Sequence, residues 1–164
     1  MKKLFPILIL ALMAGIFLLS SQKAADSAEL SSGFCEFAAK LIYRNFSSYT
    51  SDIQAVIVQG LSTCIRKLAH AALYALLGAL CYLWLHRKPH NISTSMGICA
   101  LYAELDELHQ LFVPGRSGEL TDILIDCFGA ACGIAAAFML LCLIYCIRRK
   151  RIVEKGVWKS KTKN

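Results

Sequence analysis

The chain has 164 residues, of which 57% are hydrophobic, and a formal net charge of +7. That composition is too apolar for an ordinary soluble domain of this length and points to a membrane protein. Nucleic-acid binding is excluded as a reading of the charge. Eight of the 18 Lys and Arg fall in the last 17 residues, directly after an apolar run, which is where anionic lipid headgroups attract them.

In chain order, Leu4 to Leu19 is the first apolar run, between Met1-Lys2-Lys3 and Ser20-Ser21-Gln22-Lys23. It is long for the apolar region of a secretory signal, so we read it as a retained first span. Residues 23–67 follow as an external loop. In it Phe34, Phe37, Ala38, Leu41 and Ile42 recur at helical spacing, and so do Ile53, Val56, Ile57, Gly60, Leu61, Cys64 and Ile65. This predicts two amphipathic helices that lie on the membrane surface or cap the bundle. Three further spans read as about 68–86, 92–113 and 120–147, after a first at about 4–20, and a basic tail fills 148–164. The predicted fold is therefore all-α: a polytopic membrane protein of four transmembrane helices with an extracytoplasmic amphipathic helical segment, in one domain over 1–164.

Orientation follows from the cations. With the N-terminus in the cytoplasm, Lys2, Lys3, Arg87, Lys88 and the eight tail residues share that side, twelve against six: Lys23, Lys40, Arg44, Arg66, Lys67 and Arg116. Both termini are then cytoplasmic in a multi-pass cell-membrane protein. Of the eight cysteines, Cys81, Cys99, Cys127, Cys132, Cys142 and Cys146 lie in apolar stretches and read as small hydrophobes. Cys35 and Cys64 lie where an oxidising compartment would reach them, and we expect them unpaired.

The spans carry ionisable groups, each costly in lipid unless it faces protein or water. On the third, Asp106, Glu107 and Gln110 fall within an arc of about 100°, bordered by His109 and Glu104. On the fourth, Asp122, Asp126, Gly129 and Gly133 fall within about 60°, so two carboxylates share a face with two glycines that permit close helix approach. On the second, Lys67, His70, Tyr74 and Gly78 fall within about 80°. In the predicted orientation all three groups lie toward the outer side, where Arg116 of the loop Pro114-Gly115-Arg116-Ser117-Gly118 joins them. The candidate polar cluster is thus Lys67, His70, Tyr74, Asp106, Glu107, Gln110, Arg116, Asp122 and Asp126. Three roles are open to it: an ion-pair network that orders the helices, a binding site for a polar or charged headgroup, or a catalytic site with a carboxylate or His as base and Arg116 holding an anion. Proton translocation ranks last, because the cytoplasmic half lacks a relay. No metal and no cofactor is expected: the Asp, Glu and His residues come from separate helices and form no ligand motif, and no CxxC occurs.

At these residues the sequence resembles the VanZ-like family of bacterial membrane proteins. DELHQLFVPGRSGELTDILIDCFGAACG, Asp106 to Gly133, is similar to the family's Asp-Glu, Gln, Pro-Gly-Arg, Asp and paired-Gly pattern, and RKLAHAALYALLG, Arg66 to Gly78, to its Lys, His, Tyr and Leu-Gly segment. Ser20-Ser21-Gln22 fits more loosely. One position departs from the pattern, Asp126, where many members carry Asn. The resemblance implies a multi-span protein, and its namesake is associated with glycopeptide (teicoplanin) resistance. The expected function is an outer-face site that binds a cell-envelope lipid or wall-precursor headgroup and affects glycopeptide susceptibility. The alternative is an intramembrane hydrolase or transferase acting on such a headgroup. The expected partners are membrane lipids and a lipid-linked cell-wall precursor or glycopeptide.

Overall fold

A computed structural model describes residues 4–22, 24–116 and 118–161, with side chains described over 4–22, 33–116 and 118–151. Met1, Lys2, Lys3, Lys23, Ser117 and the tail from 162 lie outside the described residues, so part of the charge asymmetry above rests on sequence alone. The architecture is all-helical: α1 Leu4–Ser20, α2 Ala24–Ile42, α3 Ser51–Leu85, α4 Asn91–Gln110 and α5 Leu120–Lys161, with a 3₁₀ turn at Phe46–Ser48. No strand occurs among the described residues.

Three boundaries differ from the sequence reading. The second amphipathic segment is not a separate surface helix but the N-terminal half of α3, which runs unbroken for 35 residues. Nothing in that stretch stops a helix: it has no Pro, and Thr63, a residue type that favours helix starts, instead bonds back through Oγ1 to the Gln59 carbonyl at 3.2 Å. At ~1.5 Å per residue α3 is roughly 52 Å long, well beyond a hydrocarbon core of about 30 Å. In contrast, α4 ends at Gln110 rather than 113, because Pro114 has no N–H to give the Gln110 carbonyl and disfavours helical geometry at Val113. The chain tightens there into short-range bonds, Phe112 N–H to the His109 carbonyl and Val113 N–H to the Gln110 carbonyl, both 3.0 Å. The last correction is that α5 continues through the basic tail to Lys161, whose Lys, Arg and Glu are good helix formers.

Two helices are long and apolar enough to cross a membrane by length and composition, α3 and the Leu120–Arg151 stretch of α5. The other two expected spans are less clear-cut: α1 has 17 residues, and α4 carries Glu104, Asp106 and Glu107.

The principal packing is α3 against α5, with α4 alongside both and α1 against α3 and α4. The α3–α5 seam is made of small residues. A side chain at Gly129 would drive into the Ala71 carbonyl, and one at Gly133 into the Ala75 carbonyl. The glycine face of α5 therefore does face a helix, and backbone-to-backbone approach supplies the dispersion contacts that hold it. Ile9 and Ile16 bring α1 into the core, where Tyr74, Leu77, Cys81, Cys99, Ala103 and Ala130 are buried. The Tyr102 hydroxyl donates to the Met13 carbonyl and ties α4 to α1.

The helix α2 meets α3 through small residues, with Cys35 and Ala39 fully buried. Its expected apolar face, Phe34, Phe37, Leu41 and Ile42, points outward instead. All eight cysteines are free thiols, Cys35 buried and Cys64 exposed.

Candidate functional site

The C-terminal end of α1 and the two residues after it begin the site. Ser20, fully buried, donates from Oγ to Asp106 Oδ2 at 2.9 Å. Ser21 Oγ pairs with His109 Nε2 at 3.1 Å, and the Gln22 carbonyl accepts from Arg116 Nε at 3.0 Å. Three consecutive residues thus fasten the end of α1 to the end of α4 and the loop beyond it.

That loop turns at Val113-Pro114-Gly115-Arg116, closed by the Arg116 N–H on the Val113 carbonyl at 3.1 Å. Gly115 sits at φ 80°, a conformation that favours glycine and that follows Pro in one common type of β-turn. The turn directs Arg116 back over the bundle. Its guanidinium reaches the Leu19 carbonyl at 3.3 Å and Gln110 Oε1 at 3.4 Å. All of these acceptors are neutral. Burial first, and then the neighbouring charge of Arg66, pull the Arg116 guanidinium below its ordinary pKa; it stays charged at neutral pH.

From α3, α4 and α5 the side chains form a graded cavity of about 140 Å³. With liquid water taking roughly 30 Å³ per molecule, that is room for a few waters or one small oxyanion. At the mouth, Lys67 Nζ pairs with Asp122 Oδ1 at 2.5 Å and Glu119 Oε2 at 3.0 Å, all three partly exposed. Lys67 holds the Glu119 carboxyl below the usual Glu range. At the floor, His70 Nδ1 stands 3.8 Å from Asp126 Oδ2 and 3.9 Å from Asp106 Oδ2, and both carboxylates are almost wholly buried. Gln110 Nε2 donates to Asp106 Oδ2 at 3.3 Å. Glu107, also buried, accepts the Glu119 N–H at 2.7 Å and so anchors the segment that leads into α5.

The nine residues of the expected cluster therefore lie in one region, drawn from three helices and a loop, but in distinct roles. Lys67, His70, Gln110, Arg116, Asp122 and Asp126 line the cavity. Asp106 joins His70 and Asp126 at the floor, Glu107 is turned to the backbone, and Tyr74 is fully buried with its hydroxyl unpartnered. Two residues at the edge of the α4 arc stay apart: His109 stacks on Phe17 with ring centroids 4.4 Å apart, and Glu104 is exposed.

Sequence reasoning missed Arg66, Thr63, Glu119 and Ser20. Arg66 lines the cavity beside Arg116, bonds only weakly to Thr63 Oγ1 at 3.5 Å, and its Nε is buried without a partner. Its signal was present, since it lies four residues before His70 and thus on the same helix face. Ser20 had only the Ser-Ser-Gln match, because nothing local says which helix it will meet.

Comparison with known proteins adds one positive finding. A family model described as VanZ/LLP1 matches residues 5–146. No curated protein and no solved structure matches the chain.

Proposed function

Because the chain belongs to the VanZ/LLP1 family, we propose that it is a single-domain membrane protein of the cell envelope whose cavity binds the anionic headgroup of a lipid or lipid-linked wall precursor. One observation carries this reading. Arg66 and Arg116 line the same cavity, and neither is paired with a carboxylate among the described residues. Two neighbouring guanidiniums repel each other, and an oxyanion between them relieves the repulsion while accepting forked hydrogen bonds. The unpartnered Arg66 Nε supplies one such donor.

In this reading α1, α3, α4 and α5 are four spans, both termini are cytoplasmic, and the cavity opens at the outer face. Glu119 and the Lys67 pair lie at headgroup depth. The outward apolar face of α2 suits the acyl boundary beside it. Holding a wall precursor there, or screening it, would alter glycopeptide susceptibility without chemical turnover.

The test is native mass spectrometry of the detergent-solubilised protein with a polyprenyl phosphate, against zwitterionic phosphatidylcholine. Retention of the phosphate lipid at one per chain is expected, and equal retention of both lipids refutes the reading. Topology is checked with C-terminal fusions: a fluorescent reporter that folds in the cytoplasm should be active, and a periplasm-dependent phosphatase silent.

A second reading, hydrolysis or transfer on the same headgroup, draws on His70 beside Asp126, where a general base would sit. It requires a modified lipid in extracts that disappears with His70→Ala or Asp126→Asn.

A further inference from the structure

We propose that His70, Asp106 and Asp126 hold one divalent ion of the Zn²⁺ or Mn²⁺ class at the floor of the cavity, beside the Tyr74 hydroxyl. The three residues come from α3, α4 and α5, and each offers one donor atom within 4.8 Å of the others. Separations of 3.8 and 3.9 Å between His70 Nδ1 and the two carboxylates are too long for hydrogen bonds. One ion at roughly 2.0–2.2 Å from each nitrogen and oxygen spans them. One imidazole with two carboxylates is a donor set for a borderline ion rather than for Mg²⁺ or Ca²⁺.

Two further observations point to something between these groups. Asp106 Oδ1 and the Tyr74 hydroxyl are buried and have no hydrogen-bond partner, although their residues are only 3% and 0% exposed. Tyr74 lies four residues after His70 on α3 and so shares its helix face. A bound ion would engage Asp106 through Oδ2, and a water on the ion would donate to Asp106 Oδ1 and accept from Tyr74. Ser20 and Gln110 already fix Asp106 by hydrogen bonds to Oδ2, which is how outer-shell donors orient a ligating carboxylate.

Charge agrees with this placement. The site gathers five carboxylates, Asp106, Glu107, Glu119, Asp122 and Asp126, against three permanent cations, Arg66, Lys67 and Arg116. Acidic groups thus outnumber the permanent cations around the floor. His70 and Asp126 line the cavity, so the ion would face whatever anion enters it. This last step alone rests on the headgroup reading.

The experiment is equilibrium dialysis of the full chain in detergent against Zn²⁺ and Mn²⁺, with metal quantified by mass spectrometry and no lipid added. One ion per chain is expected. Affinity should fall at least ~100-fold in Asp126→Asn and His70→Ala, and about 10-fold in Tyr74→Phe. It should be unchanged in Glu104→Gln, an exposed carboxylate on the same helix as Asp106. Should the ligand variants fail to fold, X-ray absorption on the zinc-loaded wild-type chain decides the matter. One imidazole nitrogen and oxygen donors support the site, while sulfur donors would place the metal on cysteines and overturn it. No stoichiometric metal, with monodisperse protein, also overturns it. Because the headgroup assay is run separately in chelator, lipid retention without metal binding defeats this inference alone, and metal binding without lipid retention defeats only the headgroup reading.

Discussion

Removing Arg66 should weaken ligand binding while leaving the fold as stable as before. In Arg66→Ala the folded protein loses one 3.5 Å contact to Thr63, which is too long to contribute much. It also loses a buried Nε without a partner, a defect that ordinarily costs ~1–3 kcal/mol and, for a half-buried side chain, sits at the low end of that range. Relief of repulsion with Arg116 adds to the gain, and lost packing of the aliphatic stem offsets part of it. The net change in stability should lie within about 1 kcal/mol of zero, by thermal unfolding in detergent. Binding behaves differently. A charge-assisted hydrogen bond to an anion contributes ~1.5–3 kcal/mol, so the Kd for a polyprenyl phosphate should rise about 10- to 150-fold. Stability and affinity then separate, as they do where a residue is kept for its ligand. A variant that unfolds several degrees earlier yet binds the lipid as tightly as wild type would refute the reasoning, because Arg66 would then be structural.

Four other substitutions test the architecture. Gly133→Leu forces α3 and α5 apart at the Ala75 carbonyl and should cost about 1–3 kcal/mol or more, read as a fall in Tm in the same detergent. Ser20→Ala removes a buried donor from Asp106 and should cost ~1–3 kcal/mol, whereas Ser21→Ala, at a partly exposed pair, should cost less than half as much by the same measurement. For Glu119, the folded carboxyl titrates below its unfolded value, so its contribution is fully present above the ordinary Glu range of about 4.3 and is lost as pH falls through the lowered folded-state pKa. The Tm difference between wild type and Glu119→Gln should accordingly be flat from neutral pH to about 5 and shrink only under more acid conditions. A difference that grows on acidification would contradict the Lys67 pairing.

Much of the site was readable because helical periodicity is a local property. The 60° stripe of Asp122, Asp126, Gly129 and Gly133 follows from spacing alone, and a stripe of carboxylates and glycines in an apolar helix has to find a partner. The Pro114-Gly115 turn was equally legible, because both residue types restrict the backbone on their own account. Glu104 is the informative failure. Its position on the wheel of α4 borders the arc on the side away from Asp106, and the packing of α4 leaves that edge exposed. Likewise α2 was recognised as amphipathic, but its large apolar residues point outward and its small ones meet α3, since close approach favours small side chains.

By itself, then, the order of residues determined that the chain is helical, which faces of its helices carry charge, and where the chain must turn, because each of these depends on neighbours a few positions away. Only tertiary structure decided that Ser20 meets Asp106 across 86 positions, that Arg66 stands beside Arg116 with no carboxylate partner among the described residues, and that His70 comes within 4 Å of two carboxylates from other helices. Those contacts depend on how far two helices slide and rotate against each other. The Ala71–Gly129 and Ala75–Gly133 seam sets that register, which no single segment encodes.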